Sequence, residues 1–175
     1  MTATGGASIH ASAVLVGDRA VLIRGPSGSG KSHLAFDLIV AGRARQIAPA
    51  ILVGDDRVHL MANESELVVR PAPALAGLIE IRGLGIRRCE FVRKANVGLV
   101  VDLDAADAER LPAPQALVSQ ILGINIPRIP VGPGFAGLPM VIAALTMAAN
   151  SSSPELSADC PKGIGNHISP TIATD

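Results

Sequence analysis

Short apolar blocks separated by turn-forming residues run along the chain as far as Ile129, the pattern of a strand-rich domain. Residues 11–16 and 20–23 are apolar and flank Gly17-Asp18, which predicts a hairpin. Residues 25–30 are glycine-rich. Beyond them Leu34, Ala35, Leu38 and Ile39 recur at helical spacing, and Gly42 stands where a helix stop is expected. Residues 50–53 predict a short buried strand, followed at once by Gly54-Asp55-Asp56. Residues 58–61 and 67–69 flank Asn63-Glu64-Ser65 as a second hairpin, and Pro71 and Pro73 then break regular structure. Residues 75–81 are apolar apart from Glu80 and lead into Arg82-Gly83-Leu84-Gly85. Residues 97–103 read as a continuous apolar run, as for a strand buried on both faces. Residues 105–110 are a polar connector, 116–122 a strand or a helix, 124–129 a strand and 138–149 the last helix. Residues 151–175 are rich in Ser, Pro, Gly and Asn without periodicity, which predicts a disordered tail behind one folded domain, residues 1–150. With one helix after the glycine-rich loop and one at the end, the pattern gives an α/β fold around a central mixed β-sheet.

Composition narrows the function. A chain of 175 residues, 49% of them apolar, is one domain with a sizeable core. There is no Trp or Tyr and only three Phe, so the core is aliphatic and aromatic platforms for stacking bases are not expected. Fifteen basic and fifteen acidic residues cancel, leaving no electrostatic footprint for nucleic acid. Cys89 and Cys160 form neither a CxxC pair nor a metal-ligand spacing, which argues against structural zinc and suits a reducing cytoplasm. Residues 1–8 lack the features of a signal peptide, and the longest apolar stretch, 131–149, is interrupted by Gly132, Pro133, Gly134, Gly137 and Pro139. The expectation is a cytoplasmic chain with no nucleic-acid and no membrane partner.

Gly25-Pro26-Ser27-Gly28-Ser29-Gly30-Lys31-Ser32 fits the phosphate-binding loop G-x-x-x-x-G-K-S in full. Glycines let several N–H groups converge on one phosphate, the following helix adds its positive end, Lys31 reaches the outer phosphates, and the Ser32 hydroxyl can ligate magnesium. A strand before and a helix after stand against a chance glycine-rich loop. Asp55-Asp56, at a strand end, can hold magnesium or accept a proton, and adjacent carboxylates can split such roles; a turn-forming pair is the alternative. His10 opens a strand, where a structural His is the commoner case, although His suits acid–base work. Glu80 needs a partner if buried, a metal or Arg82; otherwise it is an exposed strand residue. Arg110, read alone, fits a solvated charge better than a phosphate clamp, and Arg87, Arg88, Arg93 and Lys94 form a small basic cluster that either faces an acidic partner or, the favoured reading, is solvated. His33, His59 and His167 receive no role.

Ile9-His10-Ala11, the phosphate loop, Val53-Gly54-Asp55-Asp56-Arg57-Val58 and Ile79-Glu80-Ile81-Arg82-Gly83-Leu84-Gly85-Ile86 occur in one order. In that order they resemble the catalytic domain of HPr kinase/phosphorylase over residues 10–150, and the last block is the most specific. The resemblance implies a P-loop catalytic domain with a fold similar to phosphoenolpyruvate carboxykinase, in the short alphaproteobacterial form without a separate N-terminal domain. It implies ATP and Mg2+ as cofactors, the phosphocarrier protein HPr as partner, transfer to an HPr serine, and assembly as a hexamer. By the same resemblance Asp55 is the general base, and the acid in reverse, with His10 beside that carboxylate. Lys31 steadies the transferred phosphoryl group, Ser32 and Glu80 hold magnesium, and Arg110, within Glu109-Arg110-Leu111, assists catalysis. Asp56, Arg82 and Gly83 line the phosphate side. One departure stands out. The family loop Val-Arg-Pro-Gly-Arg-Asn reads Val131-Gly132-Pro133-Gly134-Phe135-Ala136 here, without either arginine. An incoming inorganic phosphate needs cationic or N–H donors, so kinase activity is expected and phosphorolysis is expected to be weak or absent. A small-molecule kinase would need a lid that the sequence does not display, and a pure nucleotide-binding module has no need of Asp55.

Overall fold

The structure, a computed structural model, describes residues 6–148. A short first strand, β1 (Ala7–Ile9), precedes the hairpin of β2 (Ser12–Val16) and β3 (Arg19–Arg24), whose turn uses Gly17 at φ 63°. The phosphate loop follows, then α1 (Lys31–Arg43), β4 (Ala50–Gly54), and a second hairpin of β5 (Val58–Asn63) and β6 (Glu66–Pro71). A 3-10 turn, Pro73–Leu75, leads to β7 (Leu78–Ile81) and β8 (Gly85–Arg88), which form a separate two-stranded ribbon. β9 (Ala95–Leu103), a 3-10 turn at Pro114–Leu117, β10 (Val118–Ile121), β11 (Ile124–Val131) and α2 (Gly137–Thr146) complete the described chain.

Nine strands make one mixed sheet in which β9, β3, β2 and β4 lie side by side. β9 is parallel to β3, with Leu22 opposite Val100, and β11 runs parallel along the carboxyl half of β9, with Val131 opposite Leu103. β2 is antiparallel to both β3 and β4, so β3, β4, β9 and β11 all point the same way. Their carboxyl ends therefore share one sheet edge, the place where open α/β sheets hold ligands.

Alternation along β3 explains the two-sided core. Val21 and Ile23 pack with Leu34, Leu38 and Val141 of the helices, while Ala20 and Leu22 face Leu60, Leu67 and Val69 of the second hairpin. Each fully buried aliphatic side chain of this kind contributes about 1.5–3 kcal/mol. At Gly98 the register between β3 and β9 slips, and a Cβ there would lie 2.7 Å from that of Arg19.

Several expectations need correcting. Gly42 does not stop α1, which continues to Arg43. A Cβ at Gly42 would lie 2.7 Å from the Ala50 nitrogen, so the glycine admits β4 against the helix. The helix ends instead where Arg45 turns to φ 59°. Pro71 closes β6 opposite Val58, so regular pairing breaks only after it. Residues 114–121 are a 3-10 turn and then a strand, which joins the two alternatives left open for that segment. α2 spans Gly137–Thr146 rather than 138–149, and the expected tail, 151–175, lies outside the described residues. No helix among the described residues is long and apolar enough to cross a membrane.

Candidate active site

The phosphate loop joins β3 to α1 and closes on itself through the Ser29 N–H, which donates to the Pro26 carbonyl at 3.2 Å. Gly28 and Gly30 hold φ 81° and 95°, values that side chains disfavour, and Gly30 takes the N-cap position of α1. Leu34 is the first residue to bond back, its N–H reaching the Gly30 carbonyl at 2.9 Å. The start of α1 carries no side-chain cap and no acidic residue in its first turn, so its N–H groups and positive end are open to an anion. Lys31 is 5% exposed, and Nζ donates to the carbonyls of Gly25 (3.0 Å) and Pro26 (2.8 Å). An ammonium has three donors, so one remains for a ligand. Burial pushes the Lys31 ammonium down from its usual value, opposed by Asp55 and Asp56. The Ser29 hydroxyl is buried without a hydrogen-bond partner among the described residues, a further polar group beneath the loop. This donor set fits the phosphates of a nucleotide.

Asp55 directly follows β4 and is 2% exposed. Oδ1 accepts from the hydroxyls of Ser12 (2.5 Å) and Ser32 (2.8 Å), and Oδ2 accepts from the Glu80 backbone N–H (3.0 Å). One carboxylate thus ties β2, the first turn of α1 and β7 together. A carboxylate offers about four lone-pair sites, so one on Oδ2 is left over.

Asp56 takes the opposite course. The Arg57 N–H bonds back to the Asp55 carbonyl at 2.7 Å, and Asp56 sits between them at φ 64°. A three-residue turn with positive φ at a side-chain-bearing centre is strained, and such strain gathers at functional sites. The turn throws Asp56 outward, where Oδ1 lies 3.0 Å from Nε2 of His10. The resemblance put His10 beside Asp55; its side chain instead meets that of Asp56, because the Asp55 oxygens face inward to Ser12, Ser32 and the Glu80 N–H.

The Glu80 side chain is exposed and forms no hydrogen bond or ion pair among the described residues, so neither burial nor pairing with Arg82 holds. Its backbone N–H bonds one oxygen of the Asp55 carboxylate, whose other oxygen accepts from Ser32. No cluster of three His, Cys, Asp or Glu side chains suited to a metal occurs among the described residues. Magnesium bound mainly through phosphate oxygens and water needs only one or two protein ligands, and Ser32 with Glu80 can supply them. Arg82 lies in the turn between β7 and β8, beside Gly83 at φ 86°. Its Nη2 is 3.8 Å from where a Cβ on Gly28 would stand, so an exposed guanidinium flanks the phosphate loop. Arg110 is exposed in the loop after β9. The Gly132–Phe135 turn follows β11 at the same sheet edge, with Phe135 75% exposed. Burial pushes the Cys89 thiol up, which disfavours the reactive thiolate.

Sequence reading missed one cluster entirely. Asp102, within the run read as continuously apolar, accepts from Arg24 Nε and Nη2, both at 2.7 Å, and from Arg128 Nε. Arg24 also donates to Ser119 Oγ at 3.0 Å. Arg128 reaches onward to Asp107 and to the Ala116 carbonyl. The available signal was a carboxylate at the end of a two-face-buried strand, which requires cationic partners.

Residues 3–158 match the family model HPr Serine kinase C-terminal domain. The chain is 35% identical over 140 residues to the HPr kinase/phosphorylase of Geobacillus thermodenitrificans, covering 73% of this chain and 43% of that protein. It is 37% identical over 141 residues to the HPr kinase/phosphorylase of Enterococcus faecalis, with coverage of 73% and 43%. The chain therefore spans less than half the length of these relatives. The solved structure of the Hpr(Ser) kinase/phosphatase from Coxiella burnetii superimposes with a TM-score of 0.61 at 28% identity, covering 79% of this chain and 93% of that one.

Proposed function

The chain belongs to the HPr serine kinase C-terminal domain family, and we propose that it is a serine protein kinase that transfers the γ-phosphoryl group of ATP to HPr. The observation that carries this reading is the bare start of α1, with Lys31 and Ser32 facing a buried Asp55 at one sheet edge. A loop that only held phosphates would not need a carboxylate aimed into it.

In this reading the loop N–H groups and Lys31 bind the β- and γ-phosphates, and Arg82 approaches them from beside Gly28. Magnesium, when held by Ser32 and Glu80, neutralises phosphate charge. The HPr serine oxygen attacks the γ-phosphorus, its proton passes to the free lone pair on Asp55 Oδ2, and the bond to the ADP oxygen breaks. The His10–Asp56 pair stands at the rim and orients the acceptor. Arg110 supports the charge that develops on the transferred group. Action on HPr places the chain in the cytoplasm, and the family reading carries self-association as a hexamer, which sedimentation measures.

The Gly132–Phe135 turn offers no guanidinium where the resembled family has two, so the reverse reaction with inorganic phosphate is weak or absent. One experiment tests both directions. The chain is incubated with labelled ATP, magnesium and HPr, and the product is then chased with inorganic phosphate. The expected outcome is label on an HPr serine that the chase leaves in place. Nucleotide binding without transfer contradicts the kinase reading, and rapid pyrophosphate release contradicts the directional one.

A further inference from the structure

Arg110 lies in a loop, residues 104–113, in which no residue is buried, so apolar packing does not fix its course. Its first half is nevertheless fastened. The Ala105 N–H donates to the Val131 carbonyl at 2.9 Å, and the Ala108 N–H to that of Ala105 at 3.3 Å. The strongest attachment is Asp107, whose two carboxylate oxygens accept from Arg128 Nη1 (2.7 Å) and Nη2 (3.0 Å). This fork-on-fork geometry fixes direction as well as distance.

Arg128 is itself immobilised. Its side chain is 13% exposed, Nε is bound to Asp102, and Nη1 also donates to the Ala116 carbonyl at 2.8 Å. Asp102 is gripped in turn by Arg24, the residue immediately before the phosphate loop. A continuous polar path therefore runs from the base of that loop through Asp102 and Arg128 to Asp107. Three residues span at most about 11 Å, so the placement of Asp107 limits that of Arg110. An exposed ion pair between two mobile side chains contributes little, but here one partner is already fixed and only Asp107 loses freedom.

We propose that Arg128 and Asp107 form a tether that holds Arg110 toward the phosphate loop, making both of them positioning residues for phosphoryl transfer. The proposal rests on the reading of Arg110 given above. It predicts an effect that passes through Arg110 and not through folding.

The test is steady-state phosphorylation of HPr by the full chain and by Asp107→Ala, Asp107→Glu, Arg110→Ala and the Asp107→Ala/Arg110→Ala double variant. Asp107→Ala is expected to lower kcat about tenfold, with KM for ATP within about twofold and Tm within about 2 °C of the parent. Asp107→Glu keeps the carboxylate and recovers part of the rate. In the Arg110→Ala background, removing Asp107 changes nothing further, because the tether has nothing left to position. If Arg110→Ala is slow and Asp107→Ala matches the parent, the tether is wrong and the Arg110 reading stands. If the two effects multiply, or Asp107→Ala lowers Tm and Asp107→Glu restores nothing, the tether is also overturned. If Arg110→Ala is itself silent, the Arg110 reading falls and the tether with it.

Discussion

Two adjacent carboxylates have opposite fates. Asp55 is buried and bonded to Ser12, Ser32 and the Glu80 N–H, whereas Asp56, itself strained in the left-handed region, turns outward to His10. Sequence made the pair a candidate but could not say which residue faces inward, because that depends on a turn and on partners from β2 and α1. Asp102 was invisible for a related reason: one charge in an apolar strand averages away until the strands bearing Arg24 and Arg128 are placed beside it. Burial opposes ionisation of Asp102, and the hydrogen bonds from Arg24 and Arg128 outweigh it, holding the carboxyl below the usual range. A carboxylate depressed in the folded state contributes stability above its unfolded value, about pH 4, and loses it as pH falls through the folded value. Asp102→Asn is therefore expected to cost about 2–4 kcal/mol at pH 7. The gap between parent and variant should close below about pH 4 in thermal unfolding followed by circular dichroism. A gap that stays constant down to pH 2 would show that the charge of Asp102 is not what stabilises the cluster.

Elements were the most legible scale. Both hairpins, the strand before the phosphate loop, the helix after it and β9 follow directly from apolar period and turn residues. Gly42 was misread because glycine has two uses, ending a helix and allowing a close approach, and only the position of Ala50 distinguishes them. β1 was missed because three residues carry no period, and it exists by pairing with β5. The contact at Gly42 makes its own prediction. Gly42→Ala improves local helix propensity yet forces a methyl against backbone, so a net loss of about 1–3 kcal/mol is expected. Urea unfolding should show a lower midpoint with an unchanged slope. A more stable variant would mean that β4 does not pack as closely on α1 as described.

At the scale of the whole molecule, parallel β3, β4, β9 and β11 deliver the phosphate loop, the Asp55-Asp56 turn, the Arg110 loop and the Gly132–Phe135 turn to one edge. Sequence order alone named these segments without bringing them together; crossover connections and the long reach of β9 do that. The fold thus brings scattered motifs to one edge, with the glycine-rich loop and the open start of α1 on one side and a buried carboxylate on the other. The central claim is that this edge transfers a phosphoryl group and does not merely hold one. Asp55→Asn separates the two most directly, since it keeps the side-chain shape and removes the proton acceptor. Nucleotide affinity and HPr phosphorylation are measured side by side for the parent chain and this variant. The account predicts ATP binding within about threefold of the parent and a fall of at least about a hundredfold in transfer rate. Normal phosphorylation of HPr by the variant would contradict it.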